Sequence, residues 1–320
     1  LAISTEVYLQ NALRSIYLVR RIPNDEFEDD KRENRHPVLK LISSEFAPIS
    51  FVVAVYKHKV TIYDRYQFRP MLSIKMSGVQ EAELFNQDTQ ILLVSENNLM
   101  MYDLNLQAGT YRHSETIDLE ESIDFLMTGK SLRAKDLFLY SGTQSVSIFR
   151  QTIRLWQIRF SETQSGEGGD TAEVTSITLS KDGCRVAIGN DKGNIYVHQT
   201  EDQSLVNEKP INIKPEALHK ITFYNNGKNL IVAFDDDTLF KYDIESEEAV
   251  ELKRKGDVTE RCTQLTVNVQ NTFLVASFAT STVVWNLRQE IALQEFAIGE
   301  LVSHINASAT VMLNSSIDHI

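Results

Sequence analysis

The chain has 320 residues, 42% apolar and 24% charged, a globular balance that excludes a wholly disordered chain. Its 44 Asp and Glu outnumber 32 Lys and Arg, and the formal net charge of −12 opposes a function built on phosphate contacts. Two distant cysteines, Cys184 and Cys262, exclude a disulfide framework and point to a reducing compartment, nuclear or cytoplasmic; no apolar run reaches the length of a membrane span.

Residues 15–21, SIYLVRR, read as a lone strand. Residues 24–34 follow as a mixed-charge loop without periodicity. Within it Asp25, Glu26, Phe27, Glu28, Asp29 and Asp30 form a candidate partner-binding segment. An aromatic set among carboxylates can anchor in a basic groove while the acids steer its approach. A solvated tether is the plain alternative. Residues 1–44 are accordingly set apart as an N-terminal segment, and residues 45–320 as a repeat region.

From there one pattern recurs. A short apolar strand, a tight polar turn and a second alternating strand end in an aromatic residue followed by a polar one. It reads FVVAVYKHKVTIYD at 51–64, QILLVSENNLMMYD at 90–103 and DLFLYSGTQSVSIFR at 136–150. It continues as CRVAIGNDKGNIYVHQ at 184–199, NLIVAFDDDTLFKYD at 229–243 and TFLVASFATSTVVWN at 272–286. The closing positions are Tyr63, Tyr102, Phe149, His198, Tyr242 and Trp285, at successive spacings of 39, 47, 49, 44 and 43 residues. A four-stranded propeller blade needs about 40–45 residues. The turns have suitable chemistry: Asn190-Asp-Lys-Gly193, Asp235-Asp-Asp237, Lys181-Asp-Gly183 and Asn226-Gly227 supply residues that tolerate positive φ.

One strand breaks the period. QTIRLWQI, at 151–158, places Trp156 only seven residues after Phe149. Either a segment is omitted near 150/151, the favoured expectation, or this strand does not end a blade. Residues 161–169 have a flexible-linker composition. Residues 301–320 read as three further strands, which either close a ring with 15–21 or lead into more chain beyond Ile320. The sequons at Asn306 and Asn314 are read as chance matches, given the reducing compartment.

The pattern resembles the WD40-repeat family over most of the chain from about residue 45, above all in TSITLSKDGCRVAIGNDKGNIYVHQ at 175–199. The family's closing Trp-Asp is Tyr-Asp at 63–64, 102–103 and 242–243, Trp-Asn at 285–286 and Trp-Gln at 156–157; its opening Gly-His is missing. The family's buried polar network is therefore not expected in most blades, and strand packing must hold them. The resemblance implies an all-β propeller of seven or eight four-stranded blades. It also implies a non-catalytic scaffold subunit of a multi-protein eukaryotic assembly, with nuclear machines such as ribosome biogenesis among the common settings. A propeller that contacts RNA or DNA directly is the alternative.

Chemical motifs are sparse. The sequence has no HExxH, G-x-S-x-G, Walker A or dinucleotide fingerprint. No histidine has metal-ligand spacing, so no catalytic, metal or cofactor residue is assigned. His58 is expected in a solvated turn and His198 as a packing substitute for an aromatic. Asp235-Asp-Asp237 lacks the Gly and distal Glu of a calcium loop and is read as a turn. Arg150 and Arg154, beside Phe149 and Trp156, are the one stretch resembling a base-stacking surface. The expected core comprises Val53, Val55, Ile62, Leu92, Val94, Leu137, Ile148, Val186, Ile188, Ile231, Ala233, Leu274 and Val284.

Overall fold

Each apolar stretch forms a strand because β-branched and aromatic residues fit a pleated, packed surface. Each polar pair or triplet between stretches reverses the chain. A computed structural model of the protein describes residues 38–297, apart from 45, 47–49, 66, 68, 161–171, 255–259, 269–270 and 279. The candidate segment Asp25, Glu26, Phe27, Glu28, Asp29 and Asp30 lies outside the described residues, as do the strands expected at 15–21 and 301–320, the linker at 161–169 and both sequons.

The described residues form six four-stranded antiparallel sheets and no helix. The first sheet holds β1 (Val38–Ser43), β2 (Phe51–Tyr56), β3 (Lys59–Asp64) and β4 (Pro70–Lys75). The second holds β5 (Val79–Phe85), β6 (Gln90–Ser95), β7 (Asn98–Asn105) and β8 (Thr110–Asp118). The third holds β9 (Phe125–Thr128), β10 (Leu137–Ser141), β11 (Ser145–Arg150) and β12 (Ile153–Arg159). The fourth holds β13 (Val174–Leu179), β14 (Arg185–Asn190), β15 (Asn194–Gln199) and β16 (Ile211–Asn212). The fifth holds β17 (Leu218–Tyr224), β18 (Asn229–Phe234), β19 (Leu239–Asp243) and β20 (Ala249–Glu251). The sixth holds β21 (Gln264–Val267), β22 (Phe273–Ser277), β23 (Ser281–Asn286) and β24 (Ile291–Ala297). Strands neighbour one another in chain order within every sheet, consistent with a propeller-like all-β fold.

The boundary drawn at residue 44/45 falls between β1 and β2, so the first sheet begins before the hairpin pattern does. The seven-residue step from Phe149 to Trp156 also has an account within one sheet. Gln151, at φ +54°, and Thr152 turn the chain, and β12 pairs with β11 as the fourth strand. Trp156 therefore lies in a fourth strand rather than at a third-strand closing position.

All six closing positions fall at the same place, near the end of the third strand of a sheet. Five are buried and Tyr102 is half-buried. A second regularity accompanies them. In four sheets the fourth strand carries an extra residue opposite the closing aromatic: Met71, Ser114, Leu155 and Leu293 are the bulged residues. Such bulges sharpen strand twist and accommodate the bulky ring. The first strands bulge too, at Leu39, Gln80, Thr175 and His219.

The core lies between successive sheets. One apolar cluster joins the first and second sheets, and others join the second to the third, third to fourth, fourth to fifth and fifth to sixth. Every expected core residue named above is buried, all at 2% exposure or less. The first strand of each sheet packs against the first strand of the next, which brings β1, β5, β9, β13, β17 and β21 toward one another.

Candidate functional site at the convergence of the first strands

The register shows what these first strands present. The second-strand residue one pair in from each hairpin is Val55, Val94, Ser141, Gly189, Ala233 or Ser277. Opposite them on the first strands stand Lys40, Glu81, Phe125, Ser176, Lys220 and Gln264. An otherwise apolar architecture thus carries polar or aromatic residues at one level of all six sheets.

Three of these sheets join through a charge cluster. The Lys40 Nζ donates to Glu81 Oε1 and to Glu83 Oε1, both at 2.7 Å. The Lys130 Nζ, from the turn after β9, donates to Glu83 Oε2 at 3.3 Å. Burial opposes the charge on Lys40, but the two carboxylates outweigh it and hold the ammonium above the usual lysine range. Burial likewise opposes ionisation of Glu83, and Lys40 with Lys130 outweighs it, so the carboxyl titrates below its usual range. The side chains of Glu81 and Glu83 are 23% and 13% exposed. The cluster is partly desolvated, where ion pairs are worth more than on an open surface.

Lys220 sits differently. Its ammonium lies over the Phe125 ring, 5.3 Å from the centroid, reaching from the fifth sheet to the third. Burial pushes it below the usual lysine range; Arg261 and Lys40 add to the push, while Cys262 and Glu81 partly offset it. Its neighbour His219, the bulged residue of β17, is pushed down to about 4 by burial, Arg261 and Lys220. Asp235 Oδ1, 3.7 Å from His219 Nδ1, offsets this only in part. Cys262 is buried, and burial pushes its thiol up to about 12, so it is an inert thiol rather than a nucleophile.

The residues singled out from the sequence have other occupations. Arg150 pairs with Glu201 at 2.7 Å and Asp136 at 3.7 Å, and Arg154 pairs with Glu120 at 2.8 Å. Phe149 is buried and stacks on Phe138 with centroids 4.9 Å apart. Trp156 is also buried, and its Nε1 donates to the Thr200 carbonyl at 2.7 Å. Neither ring offers a free face for a base, so the expected stacking surface is not assembled here. Asp235 accepts from Arg261 at 2.5 Å, Asp236 pairs with Lys214, and Asp237 takes φ +69° in the turn. Asp235 and Asp236 are thus engaged by cations from outside the hairpin, and among the described residues no group of three or more His, Cys, Asp or Glu side chains is placed to hold a metal ion. His198 is buried against Trp156, with Nδ1 2.8 Å from the Gln203 carbonyl, and burial lowers its basicity. His58 is exposed in its turn.

Sequence reading missed Lys40, Glu81, Glu83, Lys130 and Lys220. A signal was available: VLKLIS, VQEAELF and LHKITFY each place a charge inside an apolar strand. No helix among the described residues is long and apolar enough to cross a membrane. The chain matches no protein-family model, and a search of curated proteins finds no match to it.

Proposed function

We propose that this chain is a divergent WD40-like propeller, closed into seven or eight blades, that acts as a non-catalytic scaffold in a multi-protein assembly. The observation that carries this reading is the succession of six up-and-down sheets whose first strands pack on one another in chain order. Such a stack buries its strand faces and leaves loops and rims for partners. A eukaryotic nuclear machine such as one of ribosome biogenesis is the setting that the WD40 resemblance favours. The acidic segment from Asp25 to Asp30 and Phe27 within it are the docking element proposed on sequence grounds.

Affinity purification of the tagged chain followed by mass spectrometry tests the scaffold. Stoichiometric co-purification of the same protein subunits over repeated salt washes is the expected result. Recovery of the chain alone would overturn it. The competing reading, direct contact with RNA or DNA, predicts tight binding at low salt that falls steeply as salt rises. The pairing of Arg150 and Arg154 with carboxylates weighs against that reading. A Phe27→Ala, Asp29→Lys, Asp30→Lys triple variant that recovers every partner at wild-type yield removes the acidic segment from the proposal.

A further inference from the structure

Lys40, Lys130, Glu81 and Glu83 meet where the first strands converge, and Lys220 lies near enough to feel Lys40 and Glu81. Glu81 and Glu83 are both engaged by Lys40, and Glu83 also by Lys130. Lys220 is left over. An ammonium has three donors and no acceptor capacity. Among the described residues none of those donors meets a hydrogen-bond or ion-pair partner; the Phe125 ring face is the recorded contact. A ring face over a lysine returns less than a desolvated ammonium requires. Lys220 is nevertheless half-buried, not enclosed. It is a half-buried cation whose donors no described residue accepts.

We propose that Lys220 anchors an oxyanion-binding site at the convergence of the first strands, taking a phosphate or carboxylate group against its ammonium beside Phe125. The anion supplies the negative charge that the cluster lacks and accepts the donors that the protein leaves free. Arg261, itself paired with Asp235, and Lys40 repel Lys220, while Glu81 attracts it. Elsewhere the net charge of −12 disfavours anions, so the attraction is local. The inference rests on the described first strands and is independent of the scaffold reading.

Inorganic phosphate is titrated into the intact chain at low ionic strength by calorimetry, with chloride at matched ionic strength as the reference. Wild type and Lys57→Met, which alters an exposed turn lysine, are expected to bind saturably and alike. Lys220→Met should bind at least roughly tenfold more weakly, and Lys220→Arg should keep most of the affinity. Thermal unfolding checks the variants: Lys220→Met should melt at or above the wild-type temperature because it removes a desolvated charge. If it does not fold, Lys220→Gln takes its place. Equal binding by wild type and the neutral variant overturns the site, as does equal weakening in Lys57→Met or a wild type that never saturates. An N-acetylated triglutamate peptide run in parallel separates the sources. A peptide that binds more tightly than phosphate assigns the site to a partner's carboxylate, and the reverse order assigns it to free phosphate.

Discussion

Lys40 and Lys220 stand at one register position, in the first and fifth sheets, and their surroundings differ in sign. Lys40 faces Glu81 and Glu83 at hydrogen-bond distance and gains charge stability from its neighbours. Lys220 faces an aromatic ring and loses it. The backbone framework is shared: each opposes a fully buried apolar residue, Val55 or Ala233, and each follows a bulged residue, Leu39 or His219. A buried lysine is therefore not one kind of element. With carboxylates at hydrogen-bond distance it ties sheets together, and without them at that distance burial lowers its basicity.

The comparison assumes that both lysines stand on firmly packed sheets, and the largest expected effect tests this. Ile231 in β18 is fully buried between the fifth and sixth sheets. Ile231→Ala should cost about 2–5 kcal/mol through lost contacts and a cavity, read from the urea midpoint at constant slope. A loss below about 0.5 kcal/mol would mean that the fifth sheet is not rigidly packed around Lys220.

Next comes the paired lysine. Lys40→Met leaves Glu81 and Glu83 without their shared cation, and breaking such a pair from one side costs about 3 kcal/mol at this partial burial. The double change Lys40→Met with Glu83→Gln should recover part of that loss. No recovery would show that Lys40 acts by packing rather than by charge.

Acid titration probes the other side. His219 has a folded pKa of about 4, below its unfolded value of about 6.5. Its contribution is present above pH 6.5 and is lost as pH falls through 4, because the unfolded chain binds the proton first. After allowance for solvent screening, the loss over that window should be about 2 kcal/mol. His219→Gln should flatten the stability profile between pH 6.5 and 4, and an unchanged profile would place the sensitivity elsewhere.

The smallest effect has the opposite sign. Lys220→Met should raise stability by about 1 kcal/mol at neutral pH, since it removes a desolvated charge. Alkaline titration then separates the two lysines. Lys40, with its raised folded value, loses its contribution as pH rises through that value. Lys220, with a lowered one, gives stability that grows as pH climbs from its folded value toward the unfolded value of about 10.4. The advantage of Lys220→Met over wild type should therefore shrink with rising pH, and a constant advantage would contradict the desolvation of Lys220.

What the sequence determined by itself is local. Apolar runs marked the buried second and third strands; the second strands, such as Phe51–Tyr56 and Asn229–Phe234, are buried on both faces rather than alternating. The closing residues from Tyr63 to Trp285 were legible too, as were turns such as Asn190-Asp-Lys-Gly193. There Gly193 takes φ +76°, and an added Cβ would lie 2.4 Å from the Glu216 carbonyl oxygen. The weaker strands carry less signal: β1 precedes the first recognisable hairpin, and Trp156 in β12 imitates a closing aromatic. The charge cluster was decided by tertiary structure alone. Lys40 and Lys220 are 180 residues apart, and Glu81, Phe125 and Lys130 lie between them. Only the packing of each first strand on the next brings them together, and the bulges at Leu39, Gln80 and His219 set Lys40, Glu81 and Lys220 at equivalent register positions. Whether a lysine finds a carboxylate or a phenyl ring depends on which sheet arrives beside it, and no local pattern encodes that.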